Sequence, residues 1–134
     1  ESYCPAAPNS VNPAGADLSF TGSTSVSANN LVLLVTGVIP NEFGLFFYGP
    51  NAATTPFGDG TLCITGGFHR LQPPTPATFF GDNDRVLDYT VTPMDSGPGM
   101  ITAGSEWRFQ YWYRDPLGGS GFNLSNALRV VFCP

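Results

Sequence analysis

The chain has 134 residues, enough for one domain spanning 1–134 but too few for a second core of useful size. Only 11% of the residues are charged, all five basic residues are arginine, and the net charge is −5. This balance excludes a nucleic-acid partner, because no basic stripe is available to neutralise phosphates, and it disfavours an anionic membrane surface. The longest apolar run, residues 31–39, is far shorter than the roughly 20 residues of a membrane helix, so no membrane insertion is expected.

Short stretches of apolar or alternating residues, separated by Gly- and Pro-rich turns, predict a succession of β-strands. In chain order these strands cover residues 18–21, 31–38, 43–48, 61–65, 85–92, 106–114 and 128–133. The apolar run at 31–38 predicts a strand that is buried on both faces. No segment has a helical period. We therefore predict an all-β fold, an antiparallel β-sandwich of seven to nine strands that is jelly-roll-like or immunoglobulin-like.

The remaining segments are predicted to be extended or irregular. Three prolines indicate that residues 1–16 form an N-terminal arm outside the middle of any sheet, and three more make residues 66–81 irregular. The chain begins at Glu1 without a methionine, which agrees with removal of a targeting segment. We expect the mature form of an exported protein, located outside the cell or at its surface.

The strand at 106–114 carries five aromatic residues within seven positions. With a period of two, four of these rings fall on one face, where we expect them to form the core: Trp107, Phe109, Tyr111 and Tyr113. Trp112 falls on the opposite face and is the candidate for stacking on a sugar. An ion pair between Arg114 and Asp115 is expected to fix the end of this strand before Pro116, with little effect on stability.

The sequence offers few candidates for catalysis or metal binding. His69 is the only histidine and no GxSxG motif occurs, so a local hydrogen bond is expected for this side chain instead of a catalytic role. Asp82 and Asp84 flank an asparagine in an oxygen-rich run that suits calcium, but the spacing of an EF-hand is absent. The run around Asp59 is a similar weak candidate. Hydrogen bonding by polar side chains in turns explains both runs equally well, so no metal or cofactor is predicted.

Two stretches are candidates for glycosylation. Asn123 begins the only Asn-Leu-Ser sequon, and Thr54 and Thr55 precede a proline in a pattern typical of O-glycosylation. Sequons often arise by chance, and each signal is therefore weak.

The three cysteines lie near the start, the middle and the end of the chain, at Cys4, Cys63 and Cys133. No CxxC pair or nearby histidine accompanies them, which argues against a zinc site. Two alternatives stay open on spacing alone. The cysteines are either three buried thiols or one disulfide with an odd cysteine that can pair between chains.

Taken together, the chain resembles a family of secreted bacterial modules of this length, found in planctomycete- and myxobacterial-type exported proteins. The resemblance extends over the whole chain and rests on these groups of residues: Tyr3-Cys4, Asn9-Ser10, Gly44-Leu45-Phe46-Phe47-Tyr48-Gly49, Pro56-Phe57-Gly58-Asp59-Gly60, Cys63, Arg70-Leu71, Gly104-Ser105, Trp107, Phe109-Gln110, Trp112-Tyr113-Arg114-Asp115-Pro116, Phe122-Asn123-Leu124-Ser125-Asn126 and Phe132-Cys133-Pro134. The family carries no activity that transfers to this chain. The resemblance does imply a Cys4–Cys63 disulfide, which leaves Cys133 free or linking two chains, with Cys63–Cys133 as the second possibility.

The function expected from the sequence is that of a non-enzymatic extracellular module, a filament, surface-layer or adhesion subunit. Its partners would be copies of itself or other extracellular proteins. The scarcity of charge, the odd cysteine and the unpaired sheet edges favour this hypothesis. The alternative is a carbohydrate-binding module of an exported multidomain protein that holds a polysaccharide on Trp112. An enzyme is not expected, because no acid, base and nucleophile stand out together.

Overall fold

The computed structural model describes residues 1–134 and is all-β, with antiparallel pairing between every pair of neighbouring strands. Nine of its twelve strands have three or more residues. The strands are β1 (Ser2–Tyr3), β2 (Asp17–Thr21), β3 (Val32–Thr36), β4 (Phe43–Gly49), β5 (Asn51–Phe57), β6 (Gly60–Thr65), β7 (His69–Arg70), β8 (Thr75–Pro76), β9 (Asp82–Val86), β10 (Glu106–Arg114), β11 (Phe122–Leu124) and β12 (Ala127–Val131). A single 3₁₀ turn lies at Gly97–Gly99. The predicted all-β, antiparallel class is confirmed.

The strands form one large sheet, one small sheet and a hairpin. In the large sheet the order is β1-β12-β10-β4-β7, with β11 also pairing with β10 and β8 also pairing with β4. The small sheet has the order β2-β3-β9, and β5 pairs with β6 as a separate two-stranded hairpin. Strand β10 is central to the large sheet because it pairs with three neighbours, β4, β11 and β12.

The main core lies where the inner faces of the large and small sheets meet, an arrangement consistent with a β-sandwich. Along β10 the side chains alternate, and the four predicted rings are buried: Trp107, Phe109, Tyr111 and Tyr113. They pack with residues of the small sheet such as Leu18, Leu33 and Val35. Because every second residue of a strand points to the same face, the aromatic pattern of β10 decides which face of the large sheet is inside.

Three details of the strand prediction are wrong. Strand β3 alternates between buried residues and half-buried ones, so it is not buried on both faces. The strand predicted at 85–92 lies earlier, at Asp82–Val86, because the Asp88 side chain accepts hydrogen bonds from the N–H and hydroxyl of Thr90 and turns the chain there. The segment around Thr55 belongs to a strand, β5, with a register shift between Ala52 and Thr55, instead of a turn.

The N-terminal arm wraps around the molecule and is tied to it along its length. Its first residues pair with the edge of β12 as β1, and Cys4 is joined to Cys63. Asn9 donates to the Gly37 carbonyl and to the Tyr113 hydroxyl, at 2.8 and 2.9 Å. The arm therefore covers one end of the sandwich as an edge element.

Candidate functional site

The outer face of the large sheet carries a second, smaller layer formed by the β5–β6 hairpin. Its chain reverses at the two-residue loop formed by Gly58 and Asp59, where Gly58 has φ +60°, a conformation that suits glycine in a tight hairpin. Beneath the hairpin, Phe47, Ile64 and Leu124 form a separate buried cluster. Part of the outer face of the large sheet beneath the hairpin is thus apolar.

Gln110 fixes the hairpin to the large sheet. This side chain is fully buried on the outer face of β10, and its Oε1 accepts the N–H of Cys63 at 3.0 Å. Its Nε2 donates to the carbonyls of Thr61 and Ser125, both at 2.8 Å. A buried amide with all these partners satisfied holds two elements in one relative position. The hairpin therefore has a defined place over the sheet.

The Cys4–Cys63 disulfide is the second tie of the hairpin. It joins the arm to β6, as the resemblance implied, and the hydroxyl of Tyr3 donates to the Cys63 carbonyl at 2.8 Å. Cys133 is free and exposed at the other end of the chain. The Sγ atom of its thiol lies 3.7 Å from Oγ1 of Thr24. One disulfide and one accessible thiol are thus present.

Beside the hairpin the outer face stays open and forms a groove of about 340 Å³, which we call the outer groove. Seven of its eight lining residues are hydrophobic, and the eight are Leu45, Phe47, Phe57, Leu62, Phe68, Arg70, Trp112 and Leu124. Phe57 and Phe68 are exposed, with 44% and 41% of their surface accessible. Exposed rings around an apolar floor are typical of a surface that binds an apolar partner.

The structure places Trp112 in the wall of the outer groove, on the face opposite the main core. Its ring is half-buried and lies 6.0 Å from the ring of Phe122, centroid to centroid. The guanidinium of Arg114 lies 5.9 Å from the Trp112 ring centroid, within range of a cation–π contact. Arg70 is the one polar residue among the lining set. The groove therefore offers rings and one positive charge, and few groups that would bind sugar hydroxyls.

His69 belongs to an aromatic cluster on the inner side of the large sheet. Its ring lies 5.1 Å from that of Tyr48 and 5.8 Å from that of Trp107. Tyr48 is fully buried and its hydroxyl donates to the Gly99 carbonyl at 2.6 Å; burial raises the pKa of this hydroxyl. These contacts give His69 a packing role.

The acidic residues proposed for calcium do not converge. Asp82 and Asp84 lie on β9, where the Asp82 carboxylate accepts a hydrogen bond from the Thr78 hydroxyl and Asp84 is exposed. Asp59 accepts the Ser120 N–H at 2.9 Å in a different part of the molecule. No three acidic, histidine or cysteine side chains are grouped as metal ligands would be. Through these hydrogen bonds, Asp82 holds the loop before β9 and Asp59 holds the segment at Ser120.

The two glycosylation candidates have opposite surroundings. Asn123 is fully buried, donating from Nδ2 to the Pro8 carbonyl at 3.0 Å and accepting the Leu124 N–H at 2.7 Å. Because a glycan would have to replace the bond to Pro8 inside the protein, the placement argues against modification of Asn123. Thr54 and Thr55 are exposed on β5, and modification of these residues stays a prediction.

The expected ion pair between Arg114 and Asp115 is wrong. The Asp115 carboxylate is fully buried and accepts hydrogen bonds from Ser10, from its N–H at 2.9 Å and from its hydroxyl. Arg114 is exposed and turns toward Trp112 instead. The corner before Pro116 thus anchors the N-terminal arm and leaves a positive charge near the outer groove.

The sequence did not reveal the outer groove, although one local signal was available. A Gly-Asp pair between two β-permissive stretches predicts a two-residue hairpin, and this hairpin forms one wall of the groove. The other walls come from strands and loops that are distant in sequence, including Leu45, Phe68 and Trp112.

No protein-family model, curated protein or solved structure matches the chain. The resemblance to secreted bacterial modules therefore stays an expectation, and the outer groove is the basis for a functional argument. Among the elements of the fold, no helix is long and apolar enough to cross a membrane.

Proposed function

We propose that the chain is a non-enzymatic extracellular assembly module, a filament, surface-layer or adhesion subunit that acts through protein–protein contacts. The observation that carries this proposal is the outer groove, an open site of about 340 Å³ with seven hydrophobic lining residues of eight. A second protein would dehydrate this surface, at a gain of roughly 25 cal/mol for each Å² of apolar area buried. Copies of the same chain are the first partners to test.

The remainder of the surface supports an assembling subunit. With 11% charged residues, few charged groups have to be dehydrated when copies meet, although the net charge of −5 opposes association at long range. The small sheet also ends in two edge strands, β2 and β9, each paired with one strand; on β2 the N–H and carbonyl of Leu18 are bonded by the Asn126 side chain. Both features favour contacts between subunits.

The disulfide supports a location outside the cell. Disulfides persist in oxidising compartments and are rare where glutathione and thioredoxin keep thiols reduced. Cys4–Cys63 joins two segments 59 residues apart, which suits a secreted domain stabilised by a cross-link. Cys133 is exposed and would be available to link chains once they are assembled.

The direct test is the mass of the protein in solution. Sedimentation velocity of the parent and of Cys133→Ser is measured at protein concentrations between about 1 µM and 1 mM. This range covers the dissociation constants of weak to moderate interfaces. We expect the mean mass to rise with concentration in both proteins, and ordered particles to be visible by electron microscopy. A protein that stays monomeric and featureless over this range would refute the proposal.

A carbohydrate-binding module is the second candidate, and the half-buried ring of Trp112 at an open groove is the observation that favours it. Retention on insoluble polysaccharides and binding to a glycan array would support this function, provided that Trp112→Ala abolishes both. The single polar lining residue, Arg70, makes the assembly module the better-supported proposal.

A further inference from the structure

A pair of phenylalanines projects from the loop between β8 and β9. Phe79 and Phe80 are the two most exposed aromatic residues of the chain, with 76% and 85% of their surface accessible. Their rings meet edge to face, with 5.8 Å between centroids. We call this pair the phenylalanine knob. Two adjacent exposed rings form an apolar patch of the kind that marks an interaction site.

The loop that presents the phenylalanine knob is held by its own hydrogen bonds. Thr78 donates its N–H to the Asp82 carbonyl at 2.8 Å, and the Gly81 N–H bonds the Thr78 carbonyl at 3.0 Å. The Thr78 hydroxyl accepts the Phe80 N–H at 3.2 Å, and Gly81 has φ +74°. The Gly81 carbonyl in turn accepts the Val38 N–H at 3.1 Å. A turn closed in this way loses little freedom when its tip is buried by a partner.

The outer groove fits the phenylalanine knob in chemistry and in size. Sites that enclose small organic molecules measure about 300 to 1,000 Å³, so a groove of 340 Å³ suits one or two phenyl rings better than a long polymer. Phe57, Phe68 and Trp112 provide ring edges and faces for the incoming phenylalanines. Both rings of the knob remain exposed in the single chain, so its own groove does not take them.

The charges beside the two surfaces are opposite. Near the phenylalanine knob, strand β9 carries Asp82, whose carboxylate accepts the Thr78 hydroxyl, and the exposed Asp84. The nearby cation of Arg85 donates to the carbonyls of Leu71 and Gln72. Two carboxylates and one guanidinium leave a net negative charge on this strand.

On the groove side, Arg70 lines the site and Arg114 lies over Trp112. The acidic residue on this side is Asp59, two positions after Phe57, and its carboxylate accepts the Ser120 N–H. A second copy would therefore bring the carboxylate of Asp82 toward two arginines, an arrangement that favours docking in one orientation.

We propose that the phenylalanine knob of one copy inserts into the outer groove of a second copy. The inference rests on the proposed function and adds the identity of the partner and the residues on each side. Knob and groove are different surfaces, so the contact is heterologous: each copy has a free groove after its knob is bound. Such a contact propagates into a chain or closes into a ring, unlike a twofold dimer.

Sedimentation velocity of complementary variants tests the proposal. Phe79→Ser/Phe80→Ser removes the knob and keeps the groove, while Phe68→Asp places a charge in the groove and keeps the knob. Leu117→Ser is the matched control, because Leu117 is 88% exposed and lies outside both surfaces. All variants carry Cys133→Ser, and circular dichroism verifies that each is folded.

We expect each of the two variants alone to associate on the order of 100-fold more weakly than the control. Mixed in equal amounts, they should form a 1:1 pair that does not grow further, because one intact knob meets one intact groove. That rescue would distinguish this contact from a twofold interface.

Two results would overturn the inference in distinguishable ways. If Phe68→Asp abolishes association and the knob variant associates like the control, another segment occupies the groove. The proposed function then stands, and the assignment of the phenylalanine knob as the occupant of the groove is wrong. If the control itself stays monomeric at all concentrations, both the inference and the proposed function fail.

Discussion

Replacing Gln110 by leucine removes the polar centre of the contact between the large sheet and the hairpin. The amide side chain is fully buried and makes hydrogen bonds to Cys63, Thr61 and Ser125. Leucine keeps a similar volume but leaves one N–H and two carbonyls without these partners. A buried polar group left unpaired costs about 1 to 3 kcal/mol.

The expected loss in the free energy of unfolding is therefore at least about 3 kcal/mol, since three groups are orphaned at about 1 kcal/mol or more each. This is a large part of the roughly 7 to 20 kcal/mol expected for a domain of this length. The hairpin should be destabilised more than the rest of the fold. Relative to the parent, hydrogen exchange in the variant should therefore accelerate more at the amides of β5 and β6 than at those of β3, which lies in the small sheet.

Urea denaturation with the disulfide intact measures the loss, and hydrogen exchange by mass spectrometry locates it. Gln72→Leu is the matched control, because Gln72 is the only other glutamine and its side chain is exposed; we expect a change within about 0.5 kcal/mol. A loss below about 1 kcal/mol for Gln110→Leu would refute the view that this side chain fixes the hairpin.

Three further predictions concern stability. Replacing Cys4 and Cys63 by serine should lower the free energy of unfolding by about 4 kcal/mol in urea denaturation, because the cross-link closes a loop with a separation of 59 residues; an unchanged midpoint would contradict it. Asp115→Ala should cost roughly 2 to 4 kcal/mol and make the N-terminal arm sensitive to proteolysis, since two hydrogen bonds to a buried carboxylate are lost; a protease-resistant arm would argue against this anchor. Burial raises the pKa of Tyr89 and of Tyr113 to about 12. The stability that these tyrosines contribute should therefore be complete below pH 10, and each should lose about 2 to 3 kcal/mol as the pH rises through 12. A Tm that stays constant over this range would contradict the prediction.

The effect of alkaline pH on stability is simple to interpret because the chain contains no lysine. Tyrosine is then the main side chain that titrates between pH 10 and 12, as arginine stays charged to higher pH. The unfolded chain ionises its tyrosines near pH 10, whereas the folded chain holds Tyr89 and Tyr113 neutral to about 12. Ultraviolet absorbance of tyrosinate, followed beside the melting temperature, links the loss of stability to the ionisation of tyrosine.

Local patterns predicted β10 well and β9 poorly. At 106–114 the alternation of rings and polar residues is long and strong, and it matches the observed strand Glu106–Arg114. Leu87, Tyr89 and Val91 alternate too, but Asp88 and Thr90 form a side-chain turn there. The actual strand begins at Asp82, a poor strand former, because β3 offers it a complete ladder.

The outer groove is formed by residues that are distant in the sequence, so no local sequence pattern predicts it. Trp112 could be assigned to the outer face from its parity on β10. The groove around it also needs Phe68 from a loop and Phe57 from the hairpin. Their proximity depends on Gln110 and on the disulfide, which are contacts over 47 and 59 residues. Sequence alone could therefore identify one wall of the groove and not the groove itself.

The fluorescence of Trp112 tests the central claim, that the outer groove is covered by a second copy, most directly. The chain has two tryptophans, and Trp107→Phe leaves Trp112 as the only indole. We predict that its emission shifts to shorter wavelength as the protein concentration rises, because docking removes water from the ring, and that Phe79→Ser/Phe80→Ser abolishes the shift. Emission that stays constant over the concentrations at which the protein associates would show that the copies meet elsewhere and would contradict the account.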